Sequence, residues 1–302
     1  MTTIKFLMGN FFTHKDFLPD AALIPGTIYT PLQIVLEILL LVLIISGAVW
    51  TAKHEKFIKP VLAAIFISLI LFEIIIDIWD SRAGAENIFD VGTMLPLYPC
   101  SIFMYTLPFA IWGRGALKQM ACGYICTLGL VGALINFIYP IARLADYSCV
   151  SFPAFHTFLY HGSMLFTALL IIISGTHSMH RLDAWWTPFL ASIPGLLLSI
   201  PANIINYSPI PADYMYFTGQ HPLSKAVFGS NASMKTVTII MYFVYFIGPA
   251  VFYYIPWLIV KLKERCSELR IIRLNEYSVK VNLENCDFQN PGIKKSEQFR
   301  PL

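Results

Sequence analysis

The chain has 302 residues, of which 57% are hydrophobic, 15% aromatic and only 13% charged, with a formal net charge of +3. Globular domains carry about 45–50% apolar and about 25% charged residues, so this composition argues against a soluble domain and for an integral membrane protein. From Lys261 onward nine Lys/Arg stand against six Asp/Glu; the rest of the chain is neutral, which leaves no case for a nucleic-acid partner.

Residues 1–30 read as an irregular, interfacial N-terminal segment, with Phe6, Phe11, Phe12 and Phe17 at headgroup depth. Asp16, Pro19 and Asp20 interrupt it, so no cleavable signal peptide is expected and the first span directs insertion. Seven apolar spans follow: Pro31–Trp50, Pro60–Trp79, Leu95–Trp112, Leu117–Tyr139, Phe155–Ser174, Trp185–Ile205 and Thr236–Val260. Each is long enough for a ~30 Å hydrocarbon core, and Trp50, Trp79, Trp112, Tyr139, Trp185 and Trp186 stand at span ends as an aromatic belt. The expected fold is all-α, a polytopic membrane protein of about seven transmembrane helices, with a membrane domain over 31–260 and a basic tail over 261–302. With the N-terminus outside and the C-terminus inside, the inner segments hold 15 Lys/Arg and the outer ones six. That bias predicts an N-out, C-in orientation; the expected location is the cell (plasma) membrane. The Pro-rich loop Asn206–Lys235 is long enough for a lid or a link, and the basic cluster after Lys261 suits anionic inner-leaflet lipid.

The stretch Thr93-Met94-Leu95-Pro96-Leu97-Tyr98-Pro99-Cys100-Ser101 opens the third span. Pro96 and Pro99 fit the first turn of a helix, where a missing N–H costs little. Cys100 then lies near unpaired backbone N–H groups and the positive end of the helix dipole, an environment that favours a thiolate. The competing reading is a small, inert cysteine at a membrane helix start. Polar groups recur at one depth on other spans: Glu73 and Asp77 on the second, Asn136 on the fourth, His156 and His161 on the fifth, Asn203 and Asn206 on the sixth. Such residues are costly in a bilayer and usually face a cavity or a partner. His161 could serve as the base for Cys100, or could be interhelical glue bonded to a carbonyl or to Asp77. Glu73 and Asp77 could orient it or relay protons, whereas Asp80 reads as a hydrated helix end. His156 lies about 140° round the helix from His161 and reads as a loop or capping residue. The six cysteines form no CxxC pair. Cys122 and Cys126, at i and i+4, read as small packing residues. No motif implies a metal or an organic cofactor, and none supports a serine hydrolase, a zincin or a nucleotide-binding enzyme.

Leu95-Pro96-Leu97-Tyr98-Pro99-Cys100, the glycines Gly123, Gly129 and Gly132 of a fourth span ending in Tyr139-Pro140, and Tyr160-His161-Gly162 together resemble the YwaF-like family of polytopic membrane proteins. Its signature is close to Leu-Pro-Leu-His-Leu-Cys, with a His-Gly some sixty residues later; here Cys100 and His161 are 61 apart. The likeness covers roughly Glu73 to Trp186. It implies, by way of a eukaryotic branch described as ether-phospholipid acyltransferases, that Cys100 accepts an acyl group and His161 is its catalytic partner. The motif histidine is Tyr98 here, so Tyr98 would take over any role that histidine has. A more distant likeness to androgen-regulated membrane hydrolases, which use threonine and histidine, makes Thr93 and Thr106 runner-up nucleophiles.

The expectation is therefore a membrane-embedded acyltransferase or hydrolase of lipid esters working through a thioester on Cys100. His161 is base then acid; Glu73, Asp77, Tyr98 and Asn136 support them, and a phospholipid or other acyl lipid is the partner. Oligomeric state is left open. The alternative is a non-catalytic carrier or receptor for a small amphipathic solute, held by Glu73, Asp77 and His161.

Overall fold

The computed structural model describes residues 9–14, 17, 29–82, 97–139, 147–177, 186–205, 214–216, 225, 227–229 and 231–289. Among them there is no strand. The helices are α1 (Pro31–Lys53), α2 (Glu55–Arg82), α3 (Pro99–Trp112), α4 (Gly115–Ile138), α5 (Phe152–Ser174), α6 (Trp186–Ile205) and α7 (Met234–Gln289). The chain divides into two units, Met1–Trp257 and Leu258–Leu302.

Sequence chemistry sets the helix ends. Pro31 opens α1 behind an extended Thr30, whose hydroxyl accepts the Gln33 N–H at 3.3 Å. Ser151 caps α5 in the same way, accepting the Ala154 N–H at 3.3 Å, with Pro153 in the first turn. Both pair an oxygen-bearing cap with a proline whose absent N–H would have had no intrahelical partner. Gly175 ends α5 with φ 68°, a left-handed cap that suits glycine. Helix α2 starts five residues earlier than the apolar pattern predicts. Pro60 falls in its second turn, where the missing bond is the one to the carbonyl four residues back.

Five helices are long and apolar enough to cross a membrane: α1, α2, α4, α5 and the stretch Met234–Leu274 of α7. Two shorter apolar helices, Pro99–Trp112 and Trp186–Pro201, stand where the sequence predicts the third and sixth spans. At 1.5 Å per residue, the 14 residues of α3 reach about 21 Å, less than the ~30 Å core. The protein is thus an all-α polytopic membrane protein. Its outer helices turn most of their apolar surface outward, whereas 67% of the α4 window and 56% of the α5 window are buried. Those two helices are the centre of the bundle, and α5 packs against α1, α2 and α4. Close approach is made at glycines: a Cβ on Gly162 would lie 3.3 Å from Ile44, and one on Gly47 would lie 3.3 Å from Phe166. These contacts run in register along α1 and α5, so the two helices are parallel. Helix α4 runs the other way, since Gly132 lies by Met164 and Phe137 by Phe158.

Helix α4 is irregular at its middle. Ile125–Gly129 forms a π turn between the α-helical pieces Gly115–Tyr124 and Leu130–Ile138. A π turn acts as one inserted residue and withdraws about 100° of rotation. Tyr124 and Gly132 would otherwise point about 80° apart; with the insertion they come within about 20° of one face. That face meets the start of α3.

Candidate site at the start of the third helix

The site lies in the first unit, at the end of the bundle where α2 and α4 finish and α3 and α5 begin. Pro99 is the first residue of α3 and Cys100 the second; the extended Tyr98 precedes them, and its side chain makes no cap bond to this start. Two tyrosines hold it. Tyr124 of α4 donates its O–H to the Pro99 carbonyl at 2.6 Å, and Tyr160 of α5 donates to the Cys100 carbonyl at 3.2 Å. The sulfur faces α4: a Cβ on Gly132 would lie 3.5 Å from Cys100 Sγ and 3.7 Å from Met164 Cε. Glycine here sets backbone rather than a side chain against the thiol.

His161 follows Tyr160 on α5, the two rings 5.6 Å apart, and is half-buried. Its Nδ1 bonds the Thr157 carbonyl at 2.9 Å. A carbonyl only accepts, so Nδ1 carries the hydrogen and a neutral ring keeps its lone pair on Nε2. Tyr160 neighbours both residues, its O–H on the Cys100 carbonyl and its ring 5.6 Å from that of His161. Asn136 is one turn past Gly132, 7% exposed, with an amide Nδ2 that has no hydrogen-bond partner among the described residues.

The acids occupy different positions from those the sequence suggests. Glu73 of α2 meets His156 at ion-pair distance: Oε1 stands 3.5 Å from His156 Nε2. His156 is neither loop nor cap but a residue of the second turn of α5. Asp77 is half-buried one turn along α2 from Glu73. Asp80, expected to be hydrated, is 2% exposed. The N-terminal segment covers that end of α2: the Trp79 indole donates to the Phe12 carbonyl at 2.8 Å, and His14 packs on Trp79 and Tyr147. Tyr98 puts its ring with Tyr214 and Tyr216, at 5.8 and 5.7 Å. Thr106 donates to the Phe103 carbonyl of its own helix at 3.0 Å. Thr93, Asn206 and the Asn203 side chain lie outside the described residues. Cys122 and Cys126 are buried, as small packing residues should be.

An apolar cavity of about 280 Å³ opens between α3, α4 and α6, bounded by Ile102, Tyr105, Thr106, Phe109, Leu190 and Gly195. Residues 102, 105, 106 and 109 lie on the side of α3 roughly opposite Cys100. The cavity and the thiol are thus separate features.

One polar group escaped the sequence reading altogether. Glu37 in α1 is 8% exposed and accepts the Gln33 amide N–H at 2.8 Å. It was visible as the single acid of an apolar span, one turn from the span's only amide. Cys149, in the connection before α5, lies near it and near Thr30; burial pushes this thiol above its ordinary range.

An all-α bundle of long apolar helices that also holds a half-buried carboxylate–imidazole contact, a thiol and a second imidazole is a polytopic membrane protein with polar groups inside its bundle. The chain belongs to the TMEM164 family, whose family model matches residues 28–261. No curated protein and no solved structure matches it.

Proposed function

We propose that the protein transfers or hydrolyses acyl groups of lipid esters through a thioester on Cys100. The observation that carries this reading is the position of the thiol. It is the second residue of a helix whose N-cap side chain makes no cap bond, at the Cys100 and Ser101 N–H groups, which have no carbonyl four residues back within the helix, and its sulfur faces a glycine rather than a side chain. Free N–H groups at a helix start are donors for an oxyanion as well as a positive field for a thiolate. His161 Nε2 takes the thiol proton as sulfur attacks the ester carbonyl. It then gives that proton to the departing alkoxide, leaving acyl-Cys100. The Asn136 amide is a further donor suited to the oxyanion. A water or an alcohol next cleaves the thioester and releases the thiol. The likeness of Leu95–Cys100 and Tyr160-His161-Gly162 to YwaF-like proteins supports the same two residues. A site within the membrane suits a substrate whose acyl chain never leaves the bilayer.

The test is acylation itself. Detergent-solubilised protein incubated with an activated fatty acyl ester gains one hydroxylamine-labile acyl adduct, located by mass spectrometry. Cys100→Ala removes the adduct and His161→Ala slows its formation about 10²–10⁴-fold, the usual contribution of a general base. Cys122→Ala leaves it unchanged. Wild-type adduct formation in Cys100→Ala would reject the nucleophile, and the carrier reading would replace the enzyme.

A further inference from the structure

Tyr160 is bracketed by two imidazoles on α5, His161 at 5.6 Å and His156 at 6.1 Å between ring centroids. At 100° per residue the two histidines leave the helix about 140° apart, so they approach the Tyr160–Cys100 contact from different flanks. His161 is tied to its own helix through Thr157. His156 is not: its Nε2 faces Glu73 Oε1 at 3.5 Å, with the side chains 12% and 24% exposed. That nitrogen is buried and has no hydrogen-bond partner among the described residues. The pair is thus at ion-pair distance without the alignment of a hydrogen bond. A carboxylate and an imidazole held inside a membrane helix bundle are costly unless they face a cavity or a partner. Glu73 also lies within electrostatic reach of Tyr160, Tyr105 and His161. Tyr160, which His156 flanks, reaches the Cys100 carbonyl through its O–H.

An acyl-enzyme cycle needs a base twice, once for the thiol and once for the hydroxyl that ends it. We propose that Glu73 and His156 form the acceptor-side base: they bind the hydroxyl of the acyl acceptor, an amphiphile alcohol, and deprotonate it as it attacks acyl-Cys100. This rests on the reading of Cys100 as the nucleophile. In the step, the acceptor O–H proton passes to His156 Nε2, and the acceptor oxygen bonds the thioester carbonyl carbon. The C–S bond breaks toward sulfur. The imidazolium, held by the Glu73 carboxylate, then returns the proton to the Cys100 thiolate, which restores the starting state and releases a new ester. No oxidant, metal or cofactor enters the balance.

The test separates the two halves of the cycle. The full chain in detergent micelles is acylated with 4-nitrophenyl oleate, freed of donor, and mixed with monoolein as the alcohol. Intact-mass spectrometry follows first the gain and then the loss of the adduct. His156→Ala should acylate within threefold of wild type, which also shows that it is folded. Acceptor-dependent loss should slow about 10²-fold or more in His156→Ala, the lower end of general-base contributions, and less in Glu73→Gln. Added imidazole should restore part of the rate in His156→Ala only. Unchanged adduct lifetimes would overturn the proposal, as would an equal loss in both halves, which marks a merely structural residue. A wild-type protein that gains no adduct on Cys100 would overturn the thioester reading and this inference with it.

Discussion

The start of α3 is held by two phenols, and removing them tests whether the thiol's position is built or incidental. Tyr124 and Tyr160 each donate to a carbonyl, of Pro99 and Cys100 respectively. In a helix those carbonyls also accept the N–H four residues on, so each phenol supplies a second bond. Tyr→Phe removes donor and polar atom together, and no buried carbonyl is left without a partner. The expected cost is therefore the net value of a hydrogen bond, about 0.5–1.5 kcal/mol each. Tyr124 should lie at the upper end, because its bond is the shorter at 2.6 Å against 3.2 Å. For a domain of this size, 1 kcal/mol corresponds to a shift of about 2–4 °C. Tyr124→Phe with Tyr160→Phe together should then lower the unfolding midpoint by about 4–8 °C. A thiol-reactive fluorophore added to detergent-solubilised protein reads this directly, since Cys100, Cys122 and Cys126 are buried or half-buried. The local effect should exceed the global one. Below the midpoint, Cys100 should alkylate faster in the double variant, whereas Cys122 and Cys126 keep their wild-type rates. Equal acceleration at all three cysteines, or no change at Cys100, would refute the reasoning.

Two glycines of α4 should respond to alanine in opposite ways. Gly123→Ala places a Cβ 3.0 Å from Thr187 Oγ1 and 3.3 Å from Pro188, so overpacking of about 1–3 kcal/mol should outweigh the helix-propensity gain of about 1 kcal/mol. Gly132→Ala meets nothing nearer than 3.5 Å and should hold or raise stability while slowing acylation of Cys100; a thermal scan of both variants beside the adduct assay checks this. The Lys/Arg distribution predicts that a cysteine introduced at Ser233 labels with an impermeant maleimide in intact cells, whereas the exposed native Cys266 does not. Labelling at 266 and not at 233 would invert the orientation.

Much of the architecture could be read from the chain because apolar length is a local property. The positions of the spans, the proline that opens α3 and the placement of Cys100 just inside it all follow from neighbours within a turn. The site was legible only to the extent that phase and depth determine it. Helical phase separates His156 from His161, but it cannot say which of them faces α2, and the acid at 73 met the other histidine. Asp80 was misread because the end of α2 is not open: residues 12 and 14, nearly seventy positions away in sequence, pack on its neighbour Trp79. Glu37 was overlooked because one acid hardly changes the hydropathy of its span. The π turn leaves no trace in composition at all, since the residues it contains, Ile-Cys-Thr-Leu-Gly, would suit an ordinary helix equally well.

That turn carries a consequence for how this protein tolerates change in length. In a regular membrane helix the loss of a single residue leaves either a strained turn or one half rotated about 100° against the other. In α4 the loss of one residue between 125 and 129 would instead repair the ladder, giving a continuous α-helix with every backbone bond in its usual place. The damage would be purely rotational. Everything from Leu130 to Ile138 would swing about 100° about the axis, carrying Gly132 off the Cys100 sulfur and the Asn136 amide out of its pocket. The most regular backbone available to this segment is thus one that dismantles the site, and the irregular one is what keeps glycine opposite the thiol.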